Sequence, residues 1–489
     1  MARRSRRQFL QDSMFATAAA AMANSSGRYL TAQDQPPASK SANERLNVAC
    51  VGVKGRGGSH IGQWAAKPDT AVTYIVDVDS KIGNARVNEI ERRQGIRPKM
   101  VDDIREMLED KSVDIVSIAT PNHWHALMAI WAMQAGKDVY VEKPVSHNVS
   151  EGRRAVETAR KHKKICQTGT QCRSNPGMRQ LIEYVQSGKI GAVKVARGLC
   201  YKSRPSIGAK GEYPVPAEVN YDLWCGPARM LPVTRPQFHY DWHWIWEYGC
   251  GDLGNQGIHQ MDIARWGLGV KELCKSTFSY GGRLGYEDAG ETANTQVCVH
   301  DFGDRSLVFE VRGLRTTGYK GASVGVIFEC ENGYAVSPSY NGGTVFDKEG
   351  QQIARFSEGE DDFHFINFKN AVRSRKLTEL NADIEEGHLS SALCHLGNIS
   401  YRLGTQVAAS DVEKSLADLK TTDNAKDTLE RTLAHLKNNG VDLAAAKLGV
   451  GPVLPFDPKT ETFPGNEAAN KMLTREYRAP YIVPAAGQV

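Results

Sequence analysis

Leu46-Asn47-Val48-Ala49-Cys50-Val51-Gly52-Val53-Lys54-Gly55-Arg56-Gly57-Gly58 is the stretch whose reading decides the fold. It opens as a short apolar run of the kind buried in a parallel sheet and runs straight into a glycine-rich turn before a helical stretch. That context is the one a dinucleotide fingerprint, G-x-G-x-x-G, requires. The first glycine permits the tight turn, the second lets backbone approach a pyrophosphate, and the helix N-terminus supplies amide donors. Here the three positions fall on Gly52, Lys54 and Gly57, so the loop is a variant with lysine at the second position. The next apolar run, Ala71 to Val76, ends at Asp77, 20 residues after Gly57. An acidic group there accepts the adenosine ribose hydroxyls. Asp77-Val78-Asp79 offers no arginine for a 2′-phosphate, which favours NAD over NADP.

Two further strands alternate with helical segments. Val113 to Ala119 runs into Thr120-Pro121-Asn122-His123-Trp124-His125, and Asp138 to Val141 runs into Glu142-Lys143-Pro144. Ligands bind at the carboxyl ends of the strands in such sheets, so both polar clusters converge with the glycine turn on one crevice. The expected cofactor contacts are Gly52, Val53, Arg56, Gly57, Asp77, Thr120, Asn122, His125, Glu142 and Gln171. The order glycine turn, strand-end Asp, T-P-N-x-x-H and E-K-P resembles the glucose-fructose oxidoreductase / inositol dehydrogenase / MocA family from about residue 45 to about residue 410. The resemblance implies an N-terminal Rossmann domain and a C-terminal α/β domain with an open sheet that carries a sugar site and often an oligomer interface. A homo-oligomer is expected on that ground.

Oxidising a carbinol needs a base for the hydroxyl proton and a group that holds its oxygen. Lys143 ends a buried strand, and Pro144 restricts the backbone that aims it. By similarity to the family's E-K-P lysine it binds the reacting hydroxyl. Asn255, His259 and Asp262 fall at i, i+4 and i+7, which places them on one helix face. This resembles the family's D-x-x-x-H, which supplies an acid-base histidine, with Asn255 standing where the family commonly has Asp. Asp252 or Asp262 is then the candidate to orient His259.

Phe238 to Glu247 is dense in aromatics, and His239, Trp242 and His243 are its candidate sugar contacts, because C–H faces stack on indoles. A plain aromatic core patch fits the same run. Arg173 and Asn255 complete the expected substrate set, although Gln171 and Arg173 are equally placed to cap the helix that follows. Zinc on His239 and His243, or on His123 and His125, lacks a third ligand of recognisable spacing, so no metal is expected.

The chain has 489 residues, 41% apolar and 24% charged, which suits a globular protein of two domains with appendages. Its net charge of +5 falls to about +2 without Arg3, Arg4, Arg6, Arg7 and Asp12, too little and too dispersed for a nucleic-acid surface. Ser5-Arg6-Arg7-Gln8-Phe9-Leu10, a weakly apolar run and Ala21-Met22-Ala23 read as a twin-arginine signal cleaved after Ala23. The expectation is a periplasmic protein, exported already folded by the twin-arginine machinery with its cofactor aboard. No later run is long enough to span a membrane. A bridge between Cys166 and Cys172, or Cys225 and Cys250, is conceivable in an oxidising compartment, but sequence does not set connectivity.

The chain therefore divides into a signal (1–23), a linker (24–43), a Rossmann domain (44–172), an α/β domain (173–440) and a proline-containing arm (441–489) wrapping the body or a neighbour. The α/β domain should hold a mostly antiparallel sheet, with strands at 193–200, 293–301, 306–312 and 322–330 and helices at 363–373, 386–403 and 424–438. The leading expectation is an NAD-dependent oxidoreductase acting on a sugar, polyol or glycoside hydroxyl. An NAD-dependent glycosidase working by transient ring oxidation is the first alternative, and a non-catalytic sugar-binding protein the second.

Overall fold

Residues 45–489 are described by a computed structural model, so the signal and linker expected at 1–43 lie outside the described residues. The quoted stretch forms strand β1 (Leu46–Val51), the turn, and helix α1 (Arg56–Ala65). Five more strands follow: β2 (Thr70–Val76), β3 (Lys99–Val101), β4 (Ile115–Ile118), β5 (Asp138–Val141) and β6 (Cys166–Thr168). With helices α2 (Ser80–Gln94), α3 (Ile104–Leu108), α4 (Asn122–Gln134) and α5 (Val149–Lys161) between them, they build a parallel sheet of order β3-β2-β1-β4-β5-β6. The order reverses at β1, so the crevice opens where the glycine turn and the end of β4 meet.

The second sheet has eleven strands. Its members are β7 (Val193–Tyr201), β8 (Ser276–Gly282), β9 (Thr295–Asp301), β10 (Ser306–Arg312), β11 (Val324–Cys330), β12 (Gly333–Ser337), β13 (Gly342–Asp347), β14 (Gln352–Ser357), β15 (Thr405–Ala408), β16 (Lys447–Val450) and β17 (Leu454–Pro455). It is mostly antiparallel, with β7 and β10 paired in parallel. Alternation along β10 sends Leu307, Phe309 and Val311 into one core and Val308 into another. The first core packs against α6 (Pro176–Gln186), α9 (Gly257–Leu268) and α11 (Ile384–Arg402); α7 (Tyr221–Cys225) and the short α8 (Gly251–Gly254) precede α9.

The other face is filled from within the chain. Leu429 and Leu436 of α12 (Ala425–Asn438) join Val195, Phe278, Val297 and Val308 there, and Arg431 clasps Glu310 on β10 at 2.8 Å. Helix α10 (Asp361–Ser374) goes back to the N-terminal domain, where Phe365 stacks on Tyr140 and Phe368 packs with Trp64. The stretch from residue 441 is more than an arm: β16 lies between β8 and β15, β17 pairs β8, and Tyr481 and Val483 pack into the Rossmann core. All ten cysteines are free. Among the described residues, no helix is long and apolar enough to cross a membrane.

Candidate active site

Two glycines of the turn are sterically fixed. Gly52 has φ 73°, and a Cβ on it would lie 2.7 Å from the Thr120 nitrogen; one on Gly57 would lie 1.8 Å from the Gly52 oxygen. Lys54, at the variant position, is exposed, and the open side of the loop lies at Gly55, where a Cβ would meet nothing within 4 Å. Helix α1 starts there with no side-chain cap; the Gly57 and Gly58 amides donate to the Lys54 and Gly55 carbonyls and close the turn. Thr120 Oγ1 is buried beside it without a partner. An open side at Gly55, an orphaned hydroxyl on Thr120 and Asp77 at the end of β2 together fit a dinucleotide.

The Asp77 carboxylate accepts hydrogen bonds from the Val53 and Asp79 amides, at 2.8 and 2.9 Å. The Val53 amide is therefore spent on the protein and is no cofactor donor. Helix α2 also sends Arg86 to the Val53 carbonyl, a residue the sequence reading missed because it lies outside the Asp77 triplet. Its guanidinium is paired with Glu89 at 2.6 Å.

Under the turn, Glu142 Oε1 gathers Arg56 Nε (2.9 Å), His60 Nε2 (3.1 Å) and Gln171 Nε2 (3.1 Å). Burial opposes its charge, but the His60 hydrogen bond and the Arg56 guanidinium outweigh it and hold the carboxyl well below its usual range. Glu142, Arg56 and Gln171 thus form one buried brace rather than separate contacts. His60 belongs to it and had no sequence signal beyond a helical position. His125 is a brace too: its two ring nitrogens lie 2.6 and 2.7 Å from the carbonyl oxygens of Pro144 and Thr120, tying the two strand-end turns together. Asn122 donates to Cys250 Sγ at 3.3 Å.

Lys143 Nζ donates to the backbone oxygen of Asn255 at 2.9 Å, a neutral partner. Burial lowers its pKa, with Glu142 pulling the other way. Asn255 offers Lys143 that carbonyl, and it does not share a helix with His259, because α8 ends at Gly254 and α9 begins at Gly257. His259 stands at the start of α9, 8% exposed, its ring 5.0 Å from that of Tyr340. Burial, reinforced by Lys143, pushes its pKa well below the usual value. Neither candidate orienting carboxylate reaches it. Asp252 is clamped by Arg204, and Asp262 by Arg173 at 2.7 and 2.9 Å. His259 Nδ1 is buried with no partner.

An orphaned N–H is costlier than an orphaned lone pair, so Nδ1 is bare and the hydrogen sits on Nε2. His259 is accordingly a donor at Nε2. The same clamp engages Arg173, whose guanidinium is buried against Asp262 and Glu386.

The aromatic run splits. Trp242 sits in a core with Phe238 and Trp224, the bland reading of that segment. His239 crosses to the N-terminal domain and meets Asp79 Oδ2 at 2.9 Å. His243 stacks on Trp242 at 3.7 Å and packs with Tyr240 and Trp244, both touched by Arg204, which clamps Asp252 three residues before Asn255.

Residues 46–170 match the oxidoreductase family's NAD-binding Rossmann fold, and residues 192–279 its C-terminal alpha/beta domain, both of the Gfo/Idh/MocA type. A glycosyl hydrolase family 109 protein of Saccharopolyspora erythraea is 30% identical over 206 residues, 40% of this chain and 45% of the relative. An alpha-N-acetylgalactosaminidase of Shewanella oneidensis is 33% identical over 127 residues, 25% of this chain and 28% of the relative. The chain thus spans less than half the length of these relatives. The WlbA dehydrogenase of Bordetella pertussis, solved with NADH and UDP-GlcNAcA, is 20% identical, with a TM-score of 0.55 over 73% of this chain and 97% of that one.

Proposed function

We propose that this chain, which carries the Rossmann and C-terminal domains of the Gfo/Idh/MocA oxidoreductase family, oxidises a hydroxyl of a sugar, polyol or glycoside with NAD. The observation that supports the reading is that Lys143, just past the carboxyl end of β5, donates to the backbone oxygen of Asn255, four residues before His259. NAD, when bound, supplies the hydride acceptor. The chain's own residues handle the oxygen and its proton. The Glu142 brace fixes the strand end from which Lys143 projects, and the Asn255 carbonyl holds Nζ without neutralising it. Lys143, its pKa lowered by burial, takes the hydroxyl proton in its neutral form. His259 donates from Nε2 to the same oxygen and holds it in line.

A second reading is supported by the relatives named as glycosyl hydrolases: oxidation serves as a transient step in glycoside cleavage, with no net change in the dinucleotide. Incubation with glycosides and no added NAD separates the two. Release of aglycone without accumulated reduced nicotinamide favours cleavage; a keto-sugar with stoichiometric reduced nicotinamide favours simple oxidation. Neither outcome, across a panel of glycosides and polyols, contradicts both. Export by the twin-arginine route belongs to the same proposal, and fractionation of cells expressing Arg6→Lys with Arg7→Lys tests it: the double variant should stay in the cytoplasm.

A further inference from the structure

His243 packs with Tyr240 and Trp244, whose shared neighbour Arg204 clamps Asp252 just before the Asn255 carbonyl that holds Lys143, yet the oxidation described above gives it no task. Its Nδ1 lies 2.5 Å from the carbonyl oxygen of Tyr240. A carbonyl only accepts, so Nδ1 carries the hydrogen and Nε2 is left with its lone pair. Nε2 has no hydrogen-bond partner among the described residues, and the ring is held by its 3.7 Å stack on Trp242. Burial, with Lys143 and Arg204 nearby, pushes the pKa to about 3, so the ring stays neutral and the acceptor is permanent. His259 is the complement, with a bare, buried Nδ1 and a donor at Nε2.

We propose that His243 is a specificity-determining residue: its tautomer-locked Nε2 accepts a hydrogen bond from a second donor on the substrate ring, a hydroxyl or an acylamino N–H. The inference rests on the sugar-hydroxyl reading and deepens it. The site presents one donor, one acceptor and one lysine to the ring, and so selects a sugar that offers a hydrogen-bond donor besides the hydroxyl that reacts. A ring lacking that donor leaves no partner for Nε2 on a substrate that has displaced its water, which is how a polar site rejects a deoxy analogue.

The test is calorimetric titration of NAD-loaded protein with methyl glycosides of glucose, galactose and their 2-acetamido analogues, and with the matching monodeoxy compounds. One deoxygenation should weaken binding to the wild type by about tenfold or more. His243→Asn places an amide N–H near Nδ1 to keep the Tyr240 bond while removing Nε2, and His243→Phe keeps the ring stack while removing both nitrogens. In both variants the parent sugar should bind as weakly as the deoxy sugar does to wild type, and the deoxy penalty should fall below about threefold. A penalty that survives in both variants overturns the proposal, as does a wild type that binds no member of the series or is indifferent to every deoxygenation. Failure of the oxidation reading is seen separately, as no reduced nicotinamide on mixing, because the titration requires binding alone.

Discussion

At the scale of single residues, the site is set by who pairs with whom. Lys143 is held by a neutral carbonyl, so its ammonium is destabilised by burial without a touching carboxylate to restore it. A cation with a lowered pKa loses its proton at lower pH than free lysine. The oxidation rate should therefore rise with pH along a limb whose midpoint lies below about 10.4, the value of free lysine. His259 has a depressed pKa and is already neutral throughout the neutral range, so any acid limb it causes lies well below its usual 6.5. Lys143→Ala should cut the rate by about 100-fold to 10,000-fold while leaving the dinucleotide bound, and a pH–rate profile beside a cofactor-retention measurement checks both expectations.

The sequence reading assigned Lys143 and His259 to one site because each sits in a local motif. It did not show their partners. The Asp262–Arg173 clamp joins residues 89 positions apart, and no local pattern encodes it. The i, i+4, i+7 spacing was misleading for a local reason: glycines at 254 and 257 flank a break in the helix, so Asn255 and His259 leave the chain from separate turns.

Among elements, the turn between β1 and α1 depends on backbone contact. Gly57→Ala would push a methyl into the Gly52 carbonyl. The expected result is a loss of about 1–3 kcal/mol in denaturant unfolding, with reduced dinucleotide retention. The brace below it is electrostatic. Glu142→Gln leaves buried His60 and Gln171 with a neutral partner while Arg56 keeps Asp361, and unfolding should report about 1–3 kcal/mol of lost stability from the weakened buried hydrogen bonds. Strand, turn and helix here were legible because hydrophobic period and glycine placement are local signals. Helices α10, α11 and α12 were legible from their periodicity. What periodicity did not reveal is where a helix docks: α10 serves the N-terminal domain although it follows the whole run from β7 to β14.

Across the molecule, the chain closes on itself more than its sequence suggested. The proline content after residue 441 reads as an arm, but β16 pairs with β8, a partner far away in sequence, and its Leu448 and Val450 fill the core under α12. Truncation at residue 440 should remove β16 and β17, leave β8 unpaired on one side and β15 without its neighbour, and yield protein without a cooperative unfolding transition. Helix α12 covers one face of the large sheet from within the chain.

The central claim is that Lys143 drives oxidation of a sugar hydroxyl by NAD held in the Rossmann crevice. Its most direct measurement is rapid mixing of NAD-loaded protein with a panel of sugars and glycosides while following reduced nicotinamide in the first turnover. The account predicts a burst that approaches one equivalent per site with wild type and is lost with Lys143→Ala, although that variant still holds NAD. No burst with any member of the panel, or a burst undiminished in Lys143→Ala, would contradict it.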